Sequence, residues 1–178
     1  MLTTLHPLDV AAAHERMARV IRRTPLEYNQ RLSQRYRCRV YLKREDLQVV
    51  RSYKIRGAYN MMAQLPPETL QQGVVCASAG NHAQGFAYAC HHMQVEGTIF
   101  MPVITPRQKL QQVRNFGGDK VNIVLVGDTF DQCLAEALKF TADNGKTFIP
   151  PFDHPSIIEG QATVGKEILE DLQGIDWL

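Results

Sequence analysis

Between residues 74 and 172 short apolar runs alternate with amphipathic stretches, and that alternation restricts the fold more than any other feature of the chain. Residues 74–77, 98–101, 121–126 and 147–149 are runs of strand length, and 81–93, 106–116, 130–142 and 155–172 carry helical periodicity. In the third of these helices Phe130, Cys133, Leu134, Ala137 and Leu138 fall on one apolar stripe. Thr105 before Pro106 predicts an N-cap followed by proline at the first helical position. Strands joined through helices run parallel, because a parallel connection needs a crossover of a dozen residues or more. The pattern therefore predicts an α/β fold with a parallel sheet covered on both faces.

Upstream the signals are sparser. Val10, Ala13, Met17, Val20 and Ile21 predict a helix over about residues 8–21, ended by Thr24-Pro25. A strand is expected at 39–43 and a helix at 53–65, closed by Pro66 and Pro67. A chain of 178 residues can bury about 70% of its unfolded surface, so no disulfide or metal is needed to hold a core. Cys38, Cys76, Cys90 and Cys133 form no C-x-x-C pair and read as reduced core thiols of a cytoplasmic protein. The histidines show no metal-binding spacing. At the far end, Gly174-Ile175-Asp176-Trp177-Leu178 has the pattern of a turn and the start of another strand, which predicts that the chain is a fragment.

Charge is uneven. Residues 1–56 hold 13 Lys/Arg against 5 Asp/Glu, but these cations are interleaved with Val20, Ile21, Leu26, Leu32 and Val40. That suits solvated faces of folded elements, and no nucleic-acid motif accompanies the excess. In contrast, 69–95 contains no Asp, Glu, Lys or Arg, yet Ser78, Asn81, His82, Gln84, His91 and His92 make it too polar to span a bilayer.

Two motifs stand out. Ser78-Ala79-Gly80-Asn81-His82-Ala83-Gln84-Gly85 joins the strand at 74–77 to the following helix, where unpaired N–H groups and the helix dipole suit an anion. An ordinary turn capped by Ser78 and Asn81 is the competing reading. Ser52-Tyr53-Lys54-Ile55-Arg56-Gly57-Ala58 opens a helix, and with Arg51 and Arg56 beside it the ammonium form of Lys54 would be disfavoured, as a Schiff-base lysine requires. A solvated surface lysine is the alternative here. Glu45 and Asp46 are either an acid/base pair or ion-pair partners of Lys43 and Arg44.

Taken together, Ser-Tyr-Lys-Ile-Arg-Gly-Ala and Ala-Ser-Ala-Gly-Asn-His-Ala-Gln-Gly resemble the lysine and asparagine-loop signatures of the tryptophan synthase β-like (fold type II) pyridoxal-phosphate enzymes, the threonine dehydratases in particular. Residues 41–48 and Gly127-Asp128-Thr129-Phe130 extend the resemblance along nearly the whole chain. It implies pyridoxal 5′-phosphate as cofactor, Lys54 as the lysine bonded to it, and Asn81 as hydrogen-bond partner of its 3′-hydroxyl. Ser78, Ala79, Gly80, Asn81 and His82 would receive the substrate carboxylate.

The implied architecture is an N-terminal part of the large cofactor domain at 1–56, a small α/β domain at 57–152 and the start of a return to the large domain at 153–178. The second lobe would be incomplete, with the phosphate loop and the pyridine-nitrogen partner beyond Leu178. The implied reaction is dehydration and deamination of L-threonine to 2-oxobutanoate and ammonia, or of L-serine to pyruvate, in isoleucine biosynthesis, by a cytoplasmic homo-oligomer with no membrane or nucleic-acid partner. A serine dehydratase or serine racemase is the nearest alternative, although Ala79 stands where the racemase carries a serine. Cysteine and threonine synthases fit less well, because they have an acidic residue where Ile55 stands. A catalytically inactive binding domain is the alternative from another class.

Overall fold

The computed structural model describes residues 8–178. The first helix, α1 (Val10–Met17), is capped by Asp9, whose side chain accepts from the Ala12 N–H at 2.8 Å. It is shorter than its periodicity suggests, and only Ala13 and Met17 of the stripe are fully buried. Two short strands follow, β1 (Leu26–Tyr28) and β2 (Tyr41–Lys43), separated by α2 (Gln30–Tyr36). They pair antiparallel, Glu27 opposite Leu42, an arrangement local pattern does not announce.

The helix carrying the lysine motif, α3 (Lys54–Met62), leads through α4 (Pro67–Gln71) into the main sheet. That sheet alternates β3 (Val74–Ala77), α5 (Asn81–Met93), β4 (Gly97–Met101), α6 (Arg107–Gly117), β5 (Val121–Leu125), α7 (Phe130–Asp143), β6 (Thr147–Phe148) and α8 (Pro155–Asp171). All four strands are parallel, as the alternation predicts, and their order is β5-β4-β3-β6. Successive residues face opposite sides. Val74, Cys76, Ile99 and Met101 pack with Phe86, Met62 and Ile157, whereas Val75, Ala77 and Phe100 pack with Cys133 and Ala137 of α7.

Several details depart from expectation. In α7, Phe130 and Leu138 are 45% and 47% exposed, so the buried stripe is narrower than the spacing suggests. Pro106 itself is the N-cap of α6, with extended ψ, and the buried hydroxyl of Thr105 meets no partner. Residues 174–178 form no strand, since a strand needs a neighbour to pair with. Cys76, Cys90 and Cys133 are buried core thiols, but Cys38 is exposed.

The order β4-β3-β6 positions the site. The chain leaves β3 for a neighbour on one side, β4, and later returns to β6 on the other, so the carboxyl ends of β3 and β6 flank a topological switch point. In α/β sheets the crevice outside such a point is where ligands bind.

Candidate active site

Three segments meet outside the ends of β3 and β6. The first is the start of α3. The Ser52 hydroxyl accepts from the Lys54 N–H at 3.0 Å, so Ser52 satisfies an N–H that the helix leaves free. Lys54 is half-buried, and its Nζ donates to the carbonyl of Pro151 at 2.8 Å while lying 5.3 Å from the centre of the exposed Tyr53 ring.

The second segment is the loop from β3 into α5. Ser78 N–H donates to the carbonyl of Phe100 at 3.1 Å, which continues the sheet, and the Ser78 hydroxyl accepts from Gly80 N–H at 3.2 Å. Gly80 is the N-cap of α5, with no capping side chain and no acidic residue in the first turn. A Cβ at Gly80 would meet no atom within 4 Å, so the loop faces open space. The first turn of α5 thus offers N–H groups and the positive end of the helix dipole without an internal acceptor.

The third segment, residues 149–154, joins β6 to α8. Ile149 N–H donates to the carbonyl of Val75 at 2.8 Å, and the Ile149 carbonyl lies 2.9 Å from His82 Nε2. Nε2 therefore carries the proton and Nδ1 does not; buried Nδ1 has no protein partner. Burial, assisted by the charge of Lys54, pushes His82 down to about 4, so at neutral pH the ring adds no charge to the site.

Close helix contacts hold these segments together. A Cβ on Gly85 would lie 2.9 Å from the backbone N and Cα of Ile55 and 3.1 Å from the carbonyl carbon of Lys54, so α5 rests directly on the first turn of α3. Asn81 is four residues earlier, on the same helix face, and is exposed. On the other side of α3, a Cβ on Gly160 of α8 would lie 2.5 Å from the Arg56 carbonyl.

Arg56 does not act on Lys54 as the sequence suggests. Its buried guanidinium points away into an ionic cluster, reaching Glu167 at 2.7 and 3.0 Å, Glu45 at 2.8 and 2.9 Å, and the Thr163 hydroxyl at 3.0 Å. Lys43 reaches Glu167 at 2.8 Å, and Thr24 donates to Glu45 at 2.6 Å. Burial works to raise the Glu167 carboxyl, but hydrogen bonds from Arg56 and Lys43 outweigh it and hold the group below its ordinary value. Glu45 and Asp46 are accordingly ion-pair residues, Asp46 binding Arg44 at 2.8 Å. Sequence reasoning missed the carbonyls of Ile149 and Pro151 and the side chain of Gln161; the adjacent prolines 150 and 151 are the one local sign that the segment is fixed.

Residues 17–178 match the family described as pyridoxal-phosphate dependent enzyme. The chain belongs to that family. Within it, the biosynthetic L-threonine dehydratase of Halalkalibacterium halodurans is 54% identical over 171 residues, and that of Bacillus subtilis 53% over 163. These alignments take in 96% and 92% of this chain but 41% and 39% of the relatives, so the chain spans about two fifths of their length. Among solved structures, the processed threonine deaminase isoform 2 of Solanum lycopersicum superposes with a TM-score of 0.85 at 43% identity, covering 94% of this chain and 47% of that one. Maize serine racemase superposes with a TM-score of 0.88 at 29% identity, covering 94% and 50%. The pyridoxal-phosphate enzyme family thus accounts for the parallel sheet and the crossover helices together. Among the described residues no helix is long and apolar enough to cross a membrane.

Proposed function

We propose that this chain is the Lys54-bearing portion of a pyridoxal 5′-phosphate enzyme that dehydrates and deaminates L-threonine to 2-oxobutanoate and ammonia, with L-serine as a second substrate. The observation that carries the reading is the pairing of a half-buried amine, Lys54, with an uncapped helix N-terminus, α5 resting through Gly85 directly on the turn of α3 that carries Lys54. The open space at Gly80 and the free N–H groups of the first turn of α5 suit an anionic group there, so the residues present fit the cofactor and its substrate. The identity with threonine dehydratases supports the choice of substrate, and the word biosynthetic in their names supports a place in isoleucine biosynthesis.

In this reading Lys54 holds the cofactor through its amine and Asn81 hydrogen-bonds its 3′-hydroxyl. The bound cofactor supplies an electron-withdrawing ring that accepts the electron pair left at Cα of the substrate. Lys54 Nζ would be the group that takes the proton from Cα of the substrate. Ser78, Ala79, Gly80, Asn81 and His82 orient the substrate carboxylate on the first turn of α5. His82, being neutral, ties the loop to the β6–α8 segment through Ile149 and adds no charge there. Ala79 has no proton to give to the second face of Cα, which favours elimination over racemisation.

The division into 1–56, 57–152 and 153–178 as large-domain, small-domain and returning segments belongs to the same reading, as does assembly into a homo-oligomer. The test uses the full-length protein containing this segment. Borohydride reduction with pyridoxal phosphate should tag Lys54, and Lys54→Arg should abolish release of 2-oxobutanoate and ammonia from threonine. A tag on Lys43 or Lys109, or undiminished turnover by Lys54→Arg, sinks the assignment.

A further inference from the structure

The carbonyl of Pro151 has two donors, Lys54 Nζ at 2.8 Å and Gln161 Nε2 of α8 at 3.3 Å. Its neighbours fix where it points. Pro150 and Pro151 have no N–H and hold φ near one value, and a following proline confines Ile149 and Pro150 to extended backbone. The segment is tied to the sheet through Ile149 N–H on Val75 and to α5 through His82 on the Ile149 carbonyl. It enters α8 at Pro155, where the His154 ring accepts from Ser156 N–H at 3.2 Å. Gln161 stands against Gly57 of α3, its Nε2 2.9 Å from where a Cβ there would sit.

An amine that reacts with a carbonyl compound must first give up its proton and leave its hydrogen-bond acceptor. If that acceptor is part-buried and has no other donor, leaving it orphaned adds to the free energy of the step; a second donor removes that penalty. We propose that Gln161 is a positioning residue that keeps the Pro151 carbonyl satisfied and in place when Lys54 withdraws, so that the amine is held at rest yet released cheaply. This deepens, and rests on, the reading of Lys54 as the cofactor-bearing lysine. Gln161 acts through the Pro151 carbonyl and makes no hydrogen bond of its own to the amine.

The test compares the unmodified protein with Gln161→Leu, which keeps the bulk and loses the donor, and Gln161→Glu, which turns the donor into an acceptor. Each is treated without cofactor with a limiting amount of trinitrobenzenesulfonate. Labelling of the Lys54 peptide is measured by mass spectrometry against exposed Lys109 and Lys139 in the same chain. Gln161→Leu should label Lys54 about fivefold more slowly relative to the reference lysines, the low end of what an orphaned part-buried acceptor costs, and Gln161→Glu, whose carboxylate also favours the ammonium form, should slow it at least as much. Looser packing of α8 would have the opposite sign, because it exposes Lys54 and raises its labelling. An unchanged or increased Lys54 ratio in Gln161→Leu, at an unchanged melting temperature, overturns the proposal. Should Gln161→Glu fail to fold, Gln161→Leu alone decides. Because this reagent needs no cofactor, the outcome is independent of the borohydride experiment, in which a tag away from Lys54 would overturn the cofactor reading instead.

Discussion

His82 shows how a single side chain can tie the site to the stability of the fold. Its folded value of about 4 lies below the ordinary 6.5, so the unfolded chain binds the proton more readily. The contribution is therefore complete above pH 6.5 and is lost as the pH falls toward 4, a difference on the order of 3 kcal/mol. His82→Gln, whose amide can still donate to Ile149, should flatten the dependence of unfolding free energy on pH in that window, as urea titrations at a series of pH values would show. A slope equal to that of the unmodified chain would mean that another group dominates acid unfolding. The cysteines give a second check at this scale. Burial pushes the thiols of Cys76, Cys90 and Cys133 up, so only Cys38 should react within minutes with Ellman's reagent under native conditions.

Between elements, the buried cluster of Lys43, Glu45, Arg56 and Glu167 is the main polar joint, linking the turn after β2 with α3 and α8. Glu167→Ala leaves Arg56 and Lys43 underpaired and should cost about 3 kcal/mol of stability, measurable by chemical denaturation. A loss below about 1 kcal/mol would show that Glu45, on Arg56, and Asp171, 3.5 Å from Lys43, compensate. This joint also marks where the sequence stops being legible. β3 and α5 have the bounds their pattern predicts, because a short apolar run and a following charge-free helix carry their own signals. The direction of Arg56 is set by Glu167, 111 residues away, and no local pattern encodes such a partner. For the same reason β1, three residues with Glu27 at the centre, is invisible until β2 lies beside it. Lys54 and the Ser78–His82 loop were readable as motifs; the backbone acceptors that hold Lys54 and His82 were not, since a carbonyl has no sequence signature.

Across the whole molecule the apolar surface is unevenly covered. A groove of about 390 Å³ runs past Val40, Tyr41, Ile168, Leu172 and Ile175, and Trp177 and Leu178 beside it are 94% and 79% exposed. Contiguous apolar surface of this kind binds hydrophobic dyes and promotes association. The 178-residue chain by itself should therefore enhance ANS fluorescence and, as it spans about two fifths of the relatives' length, should release no ammonia from threonine even with pyridoxal phosphate present. Turnover at the rate of a protein of the relatives' full length would show that the site needs nothing further.

The distance along the chain between Arg56 and Glu167 also has a kinetic meaning. A contact this remote carries a large loop-closure cost, which falls once the intervening chain is organised, so the ion pairs are expected to close late in folding, a point that stopped-flow folding and unfolding rates of Glu167→Ala would test. Weakening them should shorten the lifetime of the folded molecule while leaving its rate of formation nearly unchanged. The cluster then works as a lock on a finished structure, slowing its escape without guiding its assembly.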